Sequence, residues 1–262
     1  MPTRGPIVRS RVGQVFAPTL KGRYLADLFG GEGGVARSAS DRGVPGRVWD
    51  VSVSAKLDIT RRPVLRQLCR DARCGLLVAA MLAPVCRTWS VARCRSHALR
   101  SSLDPWGLLG RKSWSEAEMK EIDEANKQVK VVIELLWYLL RCGVPWALEH
   151  PRSSFLWKTA EIQELLLDRR VDEVGITMCA FGTAWMKSTT LAFGNCDSLD
   201  VQALEKHSCH SRRVCAHSGK PHVQLVGHFP GTRVARTAVA QKYPTRLSRT
   251  LARILCSASA LN

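Results

Sequence analysis

The eight residues from Gly75 to Leu82, GLLVAAML, carry no polar side chain. A strand that is apolar on both faces must be covered on both faces, which is the situation of a central strand in a parallel sheet with helices above and below. The run is too short to cross a bilayer, and nothing else in the chain approaches that length. One strand of this kind restricts the fold to a few layered architectures, and its neighbours restrict it further.

Short apolar runs alternate with longer amphipathic ones on either side. RYLADLF (23–29) and RVWDVSV (47–53) read as strands, with GGVARSASDRG between them as a helix closed by Gly43. RRPVLRQLCRDA (61–72) suits a helix with Pro63 in its first turn. A long helix is predicted over 115–141, opened by a capping box of Ser115 and Glu118, with Met119, Ile122, Val129, Val132, Leu136 and Leu140 as its apolar stripe. PWALEHP (145–151) and EVGITMC (173–179) read as strands around a helix over LWKTAEIQELLLDRR. Such alternation predicts an α/β, right-handed, doubly wound sheet with helices on both faces. Ligands of these sheets bind at the carboxyl ends of the strands, so Cys86, Glu149 and the glycines after Phe29 should share one rim.

With 262 residues the chain is long enough for a full core, and 45% hydrophobic with 23% charged residues excludes a disordered chain. The net charge of +17 points to a polyanionic partner, nucleic acid above all. Ten cysteines scattered through a chain of this size, without a secretory signal, read as reduced thiols inside a cell. Residues 1–22, rich in arginine and free of acids, read as a basic arm.

DLFGGEGGVAR (27–37) joins the first strand to the first helix through glycines that let the backbone pass close to a ligand. Its spacing is not that of a dinucleotide fingerprint. Asp27, Phe29, Gly31 and Gly33 in this order resemble motif I of the DNA cytosine-C5 methyltransferases, which lines the S-adenosylmethionine pocket. The resemblance implies a Rossmann-like, S-adenosyl-L-methionine-dependent methyltransferase sheet. It assigns Asp50, at the end of the second strand, to the ribose hydroxyls, with Trp49 as a wall for the adenine. LDIT (57–60) is similar to the family's third motif and gives Asp58 the adenine amino group; Asp58 or Thr60 also suits a helix N-cap before RRPVLRQL.

VCRTWS puts Cys86, Trp89 and Ser90 at the spacing of the family's Pro-Cys motif, which makes Cys86 the nucleophile for C6 of cytosine. Arg87, Arg93 and Arg95 are the cations expected to lower its thiol pKa. ALEHP supplies Glu149 as the partner of N3, with His150 where the family has Asn. Val85 stands where the family has Pro, with Pro84 one place earlier. MCAFGTAWMKSTTLAFGN is similar to a late sheet motif; no Gln-x-Arg-x-Arg motif is present, and Lys187 and Thr189 stand near its place. The resemblance covers residues 24–195 and implies methyl transfer to C5 of cytosine in DNA and a nuclear location. RNA cytosine-C5 methylation, or a catalytically degenerate nucleic-acid-binding domain, are the alternatives.

The loop after Cys86 carries Arg87, Arg93, Arg95, Arg100, Arg111 and Lys112 with Trp106 and Trp114, residues suited to holding phosphates and filling the gap left by a flipped base. After Glu205 no Asp or Glu follows, while basic residues such as Arg212 and Arg213 recur. This predicts a catalytic domain over 23–195 and a small basic C-terminal lobe over 196–262 that faces nucleic acid. The last helix, TRLSRTLARIL, should return its Leu247, Leu251, Ile254 and Leu255 face to the sheet. No membrane and no obligate protein partner are implied. HSCHSRRVCAH (207–217) offers Cys209, Cys215, His217 and either His207 or His210 as zinc ligands, but the spacing fits no zinc module, so no metal is assigned.

Overall fold

The structure, a computed structural model, describes residues 22–91, 98–108, 114–228, 231–232 and 236–259. The strands are β1 (Tyr24–Leu28), β2 (Gly46–Trp49), β3 (Leu77–Leu82), β4 (Trp146–Pro151), β5 (Val171–Thr177) and β6 (Ser188–Gly194), and they form one sheet in the order β2-β1-β3-β4-β6-β5. β2, β1, β3 and β4 are mutually parallel, and β6 runs antiparallel between β4 and β5. The helices are α1 (Gly34–Ser40), α2 (Arg62–Arg73), α3 (Glu116–Arg141), α4 (Ala160–Leu166), α5 (Ser198–Gln202) and α6 (Thr245–Ser259).

The apolar run that opened the sequence is β3, third of six strands and buried at every position. Its two faces feed two cores. Ala80 and Leu82 pack with Leu65, Leu68, Val132 and Leu136 of α2 and α3, while Ala79 and Met81 pack with Val35, Leu247 and Leu251 of α1 and α6. The α/β fold with helices on both faces is therefore as expected, and it is Rossmann-like in its parallel half. The antiparallel β6 departs from a doubly wound sheet. Residues 178–187, which join β5 to β6, hold only a 3-10 turn at Met178–Phe181. A parallel return needs a crossover of about a dozen residues or more, usually an α-helix.

The capping box of α3 forms as read: the Ser115 hydroxyl accepts from the Glu118 amide and the Glu118 carboxylate accepts from the Ser115 amide. Met119 is the exception in the stripe, exposed in the first turn of α3 before the helix reaches the sheet. The helix expected after β4 is split by Thr159 into a 3-10 turn at Phe155–Lys158 and the short α4. α6 buries Leu247, Leu251, Ile254 and Leu255 and lies against α1, where the Ser248 hydroxyl sits beside Gly34. No helix among the described residues is long and apolar enough to span a membrane.

Candidate active site

The carboxyl ends of β1, β2, β3 and β4 share one edge; Asp27 and Glu149 lie within β1 and β4, and the loops leaving β1, β2 and β3 carry the other candidate residues. After β1 the chain turns through Phe29 at φ 59° and Gly31 at φ 51°, closed by a hydrogen bond from the Gly33 amide to the Gly30 carbonyl. Two glycines here do different things. A methyl group on Gly33 (φ 68°) would meet Val48 Cγ2 at 2.5 Å, so Gly33 lets the turn lie on β2. A methyl group on Gly31 would meet nothing within 4 Å, which leaves that side of the turn open to a ligand.

Asp50 stands at the tip of β2 and binds the turn: its Oδ2 accepts from the Gly31 amide at 3.0 Å, and its Oδ1 accepts from the Ser52 amide and hydroxyl. The buried indole N–H of Trp49 has no acceptor among the described residues. An open glycine turn, a half-buried carboxylate acceptor and an orphaned indole donor on one rim fit the hydroxyls and base of a nucleoside-bearing cofactor. Asp27 lies beneath the turn, 2% exposed, with its carboxylate accepting from the Ala36 amide of α1 at 3.0 Å. Burial pushes its pKa up to about 6 against the pull of the helix amides. Asp58 accepts from the Thr60 amide and hydroxyl at 2.9 and 2.8 Å. It does not cap α2, whose N-cap position is Arg61 without a side-chain bond.

Cys86 follows β3 at the head of a tight turn, its carbonyl accepting from the amides of Trp89 and Ser90. That turn is fastened to the loop after β4. Trp89 O accepts from the Phe155 amide at 2.9 Å and the Ser154 hydroxyl at 3.3 Å, and Ser90 bridges to Ser154. Two adjacent strand tips are thus tied together.

Glu149, in β4 and 6% exposed, is held by two side chains. Lys187 Nζ lies 3.5 Å from its Oε1, and Tyr243 Oη donates to its Oε2 at 3.2 Å. The same ammonium acts on the thiol of Cys86: burial pushes that thiol up, Lys187 opposes the rise, and the Glu149 carboxylate adds to it. The Tyr243 phenol, raised by burial, feels Glu149, Asp27 and Cys86 together. The charges of Glu149 and Lys187 thus both bear on the Cys86 thiol. His150 points to the opposite face, with its ring edge-on to Trp157, and burial pushes its pKa down to about 3, so it stays neutral.

Several expectations need correction. Among the described residues, Lys187 is the cation whose charge bears on the Cys86 thiol, whereas the Arg87 guanidinium pairs with Glu121 at 2.8 Å. Lys187, expected to contact nucleic acid, pairs with Glu149 at 3.5 Å. Arg100 cannot grip a phosphate: it is 1% exposed, lies over the Trp89 ring at 3.7 Å and donates to Pro105 O, Asn126 Oδ1 and Thr88 Oγ1. Arg93, Arg95, Arg111 and Lys112 lie outside the described residues. Arg212 and Arg213 are exposed. Tyr243 was not singled out by sequence; a tyrosine ahead of Pro244 in a basic tail carries no signal of a partner in β4.

A segment from the tail closes over this edge. The Ala240 carbonyl lies 3.5 Å from Lys187 Nζ, Lys242 pairs with Glu32 of the glycine turn, and Tyr243 reaches Glu149. Away from the rim, the structure gathers Cys179, Cys209, Cys215 and His222, all buried, as possible metal ligands. Of the candidates weighed from sequence, Cys209 and Cys215 belong to this cluster, and His207, His210 and His217 do not. His217 instead bonds to the Ser208 carbonyl, and His207 stacks on Phe181.

No family model matches the chain, and no curated protein matches it. Among solved structures, a methyltransferase from Entamoeba histolytica, EhMeth, is similar to it, with 9% identity and a TM-score of 0.38 over 92% of this chain and 97% of that one. A likeness at that level assigns no role to any residue here.

Proposed function

We propose that the chain is an S-adenosyl-L-methionine-dependent methyltransferase that acts on C5 of cytosine in DNA through a Cys86 adduct. The observation that carries the reading is the shared neighbourhood of Cys86 and Glu149, which leave adjacent parallel strands and are linked through Lys187 and Tyr243. A pyrimidine is activated at C5 by a nucleophile at C6 together with a hydrogen-bonding group at N3, and a thiol and a carboxyl on neighbouring strand tips are those two groups. The parallel rim carries a second feature the reaction needs, a glycine turn beside a carboxylate.

In this reading the Cys86 sulfur bonds to C6 as thiolate, and the Lys187 ammonium favours that charged form. Glu149 meets the N3 edge of the ring, its orientation fixed by Tyr243 and Lys187. Gly31, Asp50 and Trp49 hold the methyl donor, with Phe29 and Gly33 shaping the turn and Asp27 fixing the start of α1 beneath it. When bound, S-adenosylmethionine supplies an electrophilic methyl group. Asp58, on the loop between β2 and α2, is assigned to the adenine side. Arg212 and Arg213, with Arg87, Arg93 and Arg95, are assigned to phosphates, where their role is positional rather than sequence-reading.

The test is trapping. The full chain with labelled S-adenosylmethionine and DNA containing 5-fluorocytosine should form a denaturant-resistant complex, and Cys86→Ser should form none while keeping its affinity for S-adenosylhomocysteine. Methyl transfer that survives Cys86→Ser would exclude a C6-thiolate route. Label that enters RNA but not DNA would move the substrate to RNA.

A further inference from the structure

The segment after the 3-10 turn at Glu205–His207 has no ordinary core. Its described part through 228 contains no α-helix and no strand, only a bridge between Val214 and Pro221, and its valines Val214, Val223 and Val226 are exposed. What is buried there is a knot of Cys209 and Cys215 with Cys179 from the end of β5, and Met186 packed beside them. Three small thiols do not supply the burial needed to order some twenty residues against their conformational entropy, which costs about 1–2 kcal/mol per residue for the backbone alone. Small lobes of this composition are held by disulfides or by metal, and all three cysteines are free thiols.

The fourth member of the knot is His222. One ligand atom from each of Cys179, Cys209, Cys215 and His222 lies within 4.8 Å of all the others, and Cys209 Sγ is 4.0 Å from His222 Nε2. In a tetrahedral zinc site, metal–ligand bonds of about 2.0–2.3 Å put ligand atoms roughly 3.5–3.8 Å apart. A small inward movement closes the set. The His222 ring is already turned for it: Nδ1 lies 3.3 Å from the Arg212 carbonyl, which can only accept, so the proton sits on Nδ1 and the Nε2 lone pair faces the sulfurs.

The sulfurs are likewise supported from outside. The Ala216 amide donates to Cys209 Sγ at 3.4 Å. The Cys215 sulfur takes hydrogen bonds from the Ser218 hydroxyl and from the amides of His217 and Ser218. The tight turn that presents those amides is fixed by the Gly219 amide on the Cys215 carbonyl and by Gly219 at φ 67°. Three thiolates, a neutral imidazole and a divalent cation sum to a single negative charge. The exposed Lys206, Arg212, Arg213 and Lys220 around it suit that balance.

From these contacts we infer that Cys179, Cys209, Cys215 and His222 bind one structural zinc ion in a closed tetrahedral set, stapling the basic segment to the end of β5. All four ligand positions come from protein, which leaves no open site for substrate. The staple has a defined reach: Ser208 Oγ donates to the Gly175 carbonyl of β5, and the Val223 amide to the Ala184 carbonyl. The connection it grips ends at Lys187, whose carbonyl accepts from the Met178 amide. The inference is independent of the methyltransferase reading, because it rests on ligand geometry alone.

The full chain, produced in zinc-replete medium and freed of any affinity tag, is expected to carry one zinc per chain by elemental analysis. Replacement with cobalt should give the intense visible bands of tetrahedral coordination and a thiolate charge-transfer band in the near ultraviolet. Cys209→Ser and His222→Ala should lose most of the metal, at least tenfold in affinity, while His217→Ala and Cys256→Ser keep it. Should the ligand variants fail to fold, the cobalt spectrum of the unaltered chain and its loss of lobe protection from proteolysis on chelation decide the matter. A chain that is purified without zinc and gives no cobalt spectrum overturns the inference. So do full zinc retention in both ligand variants and a thiol count showing these cysteines paired as a disulfide.

Discussion

Tyr243 and Glu149, 94 residues apart, are joined by a hydrogen bond of 3.2 Å from the phenol to the carboxylate. The bond brings the segment before the last helix onto the second candidate catalytic strand. Tyr243→Phe removes the donor and leaves a buried carboxylate with Lys187 as its remaining partner. Loss of one partner of a buried acceptor costs about 1–3 kcal/mol. Chemical denaturation should show a loss in that range, and methyl transfer should fall further than stability alone explains.

Lys187→Met should slow alkylation of Cys86. The ammonium opposes the rise that burial imposes on the thiol, so its removal moves the thiol pKa higher and leaves less thiolate at neutral pH. The freed Glu149 charge acts in the same direction. The rate of iodoacetamide modification plotted against pH should therefore shift towards alkaline values, and the methyl-transfer profile should shift with it. An unchanged modification profile would separate Lys187 from the thiol.

The two turn glycines should fail differently. Gly33→Ala combines positive φ with a clash against Val48, and should cost about 2–4 kcal/mol of folding stability. Gly31→Ala meets no neighbour, so its folding cost should stay near 1–2 kcal/mol, the left-handed backbone penalty. Its methyl group enters the space assigned to the cofactor. Calorimetric titration with S-adenosylhomocysteine should then show weak or absent binding in a protein that still melts cooperatively.

Arginines that read alike in the sequence should behave in opposite ways. Arg100→Met leaves the Thr88 hydroxyl, the Pro105 carbonyl and the Asn126 side chain short of a donor, and should cost about 2–4 kcal/mol of stability. Arg212→Ala and Arg213→Ala should leave the melting temperature in place, because both side chains are exposed and it is their backbone carbonyls that His222 bonds. Each should weaken DNA binding and flatten its salt dependence, by about 0.9 in log-log slope for every phosphate left without its cation.

Local pattern was enough for the elements. The all-apolar β3, the capping box of Ser115 and Glu118, and the 247–251–254–255 face of α6 each announce themselves within a few residues, because backbone period and burial are local matters. The ordering of strands then put the Gly31 turn, Cys86 and Glu149 on one rim, since parallel connectivity leaves the loops of β1 to β4 at the same edge. Other relationships had no local trace. Arg100 reads as one more loop arginine, yet Trp89 and Asn126 enclose it. Lys187 stands near the place of a nucleic-acid contact motif in the sequence, and the antiparallel return of β6 carries it to Glu149.

The metal knot makes the division plainest. Cys209 and Cys215 were legible as candidates from residue type alone, but the side chains that converge on them are Cys179, thirty residues before Cys209, and His222, past the turn that holds His217. Ligand choice depends on which side chains converge within a bond length or two, and that is settled by how strand β5 ends and how the following loop folds back. The chain by itself determined an α/β sheet with a reactive-looking rim and a basic tail. Only the tertiary structure decided which charge bears on the thiol, which arginine is buried, and which three thiols and one imidazole converge, because contact energies at a few ångströms do not follow distance along the sequence.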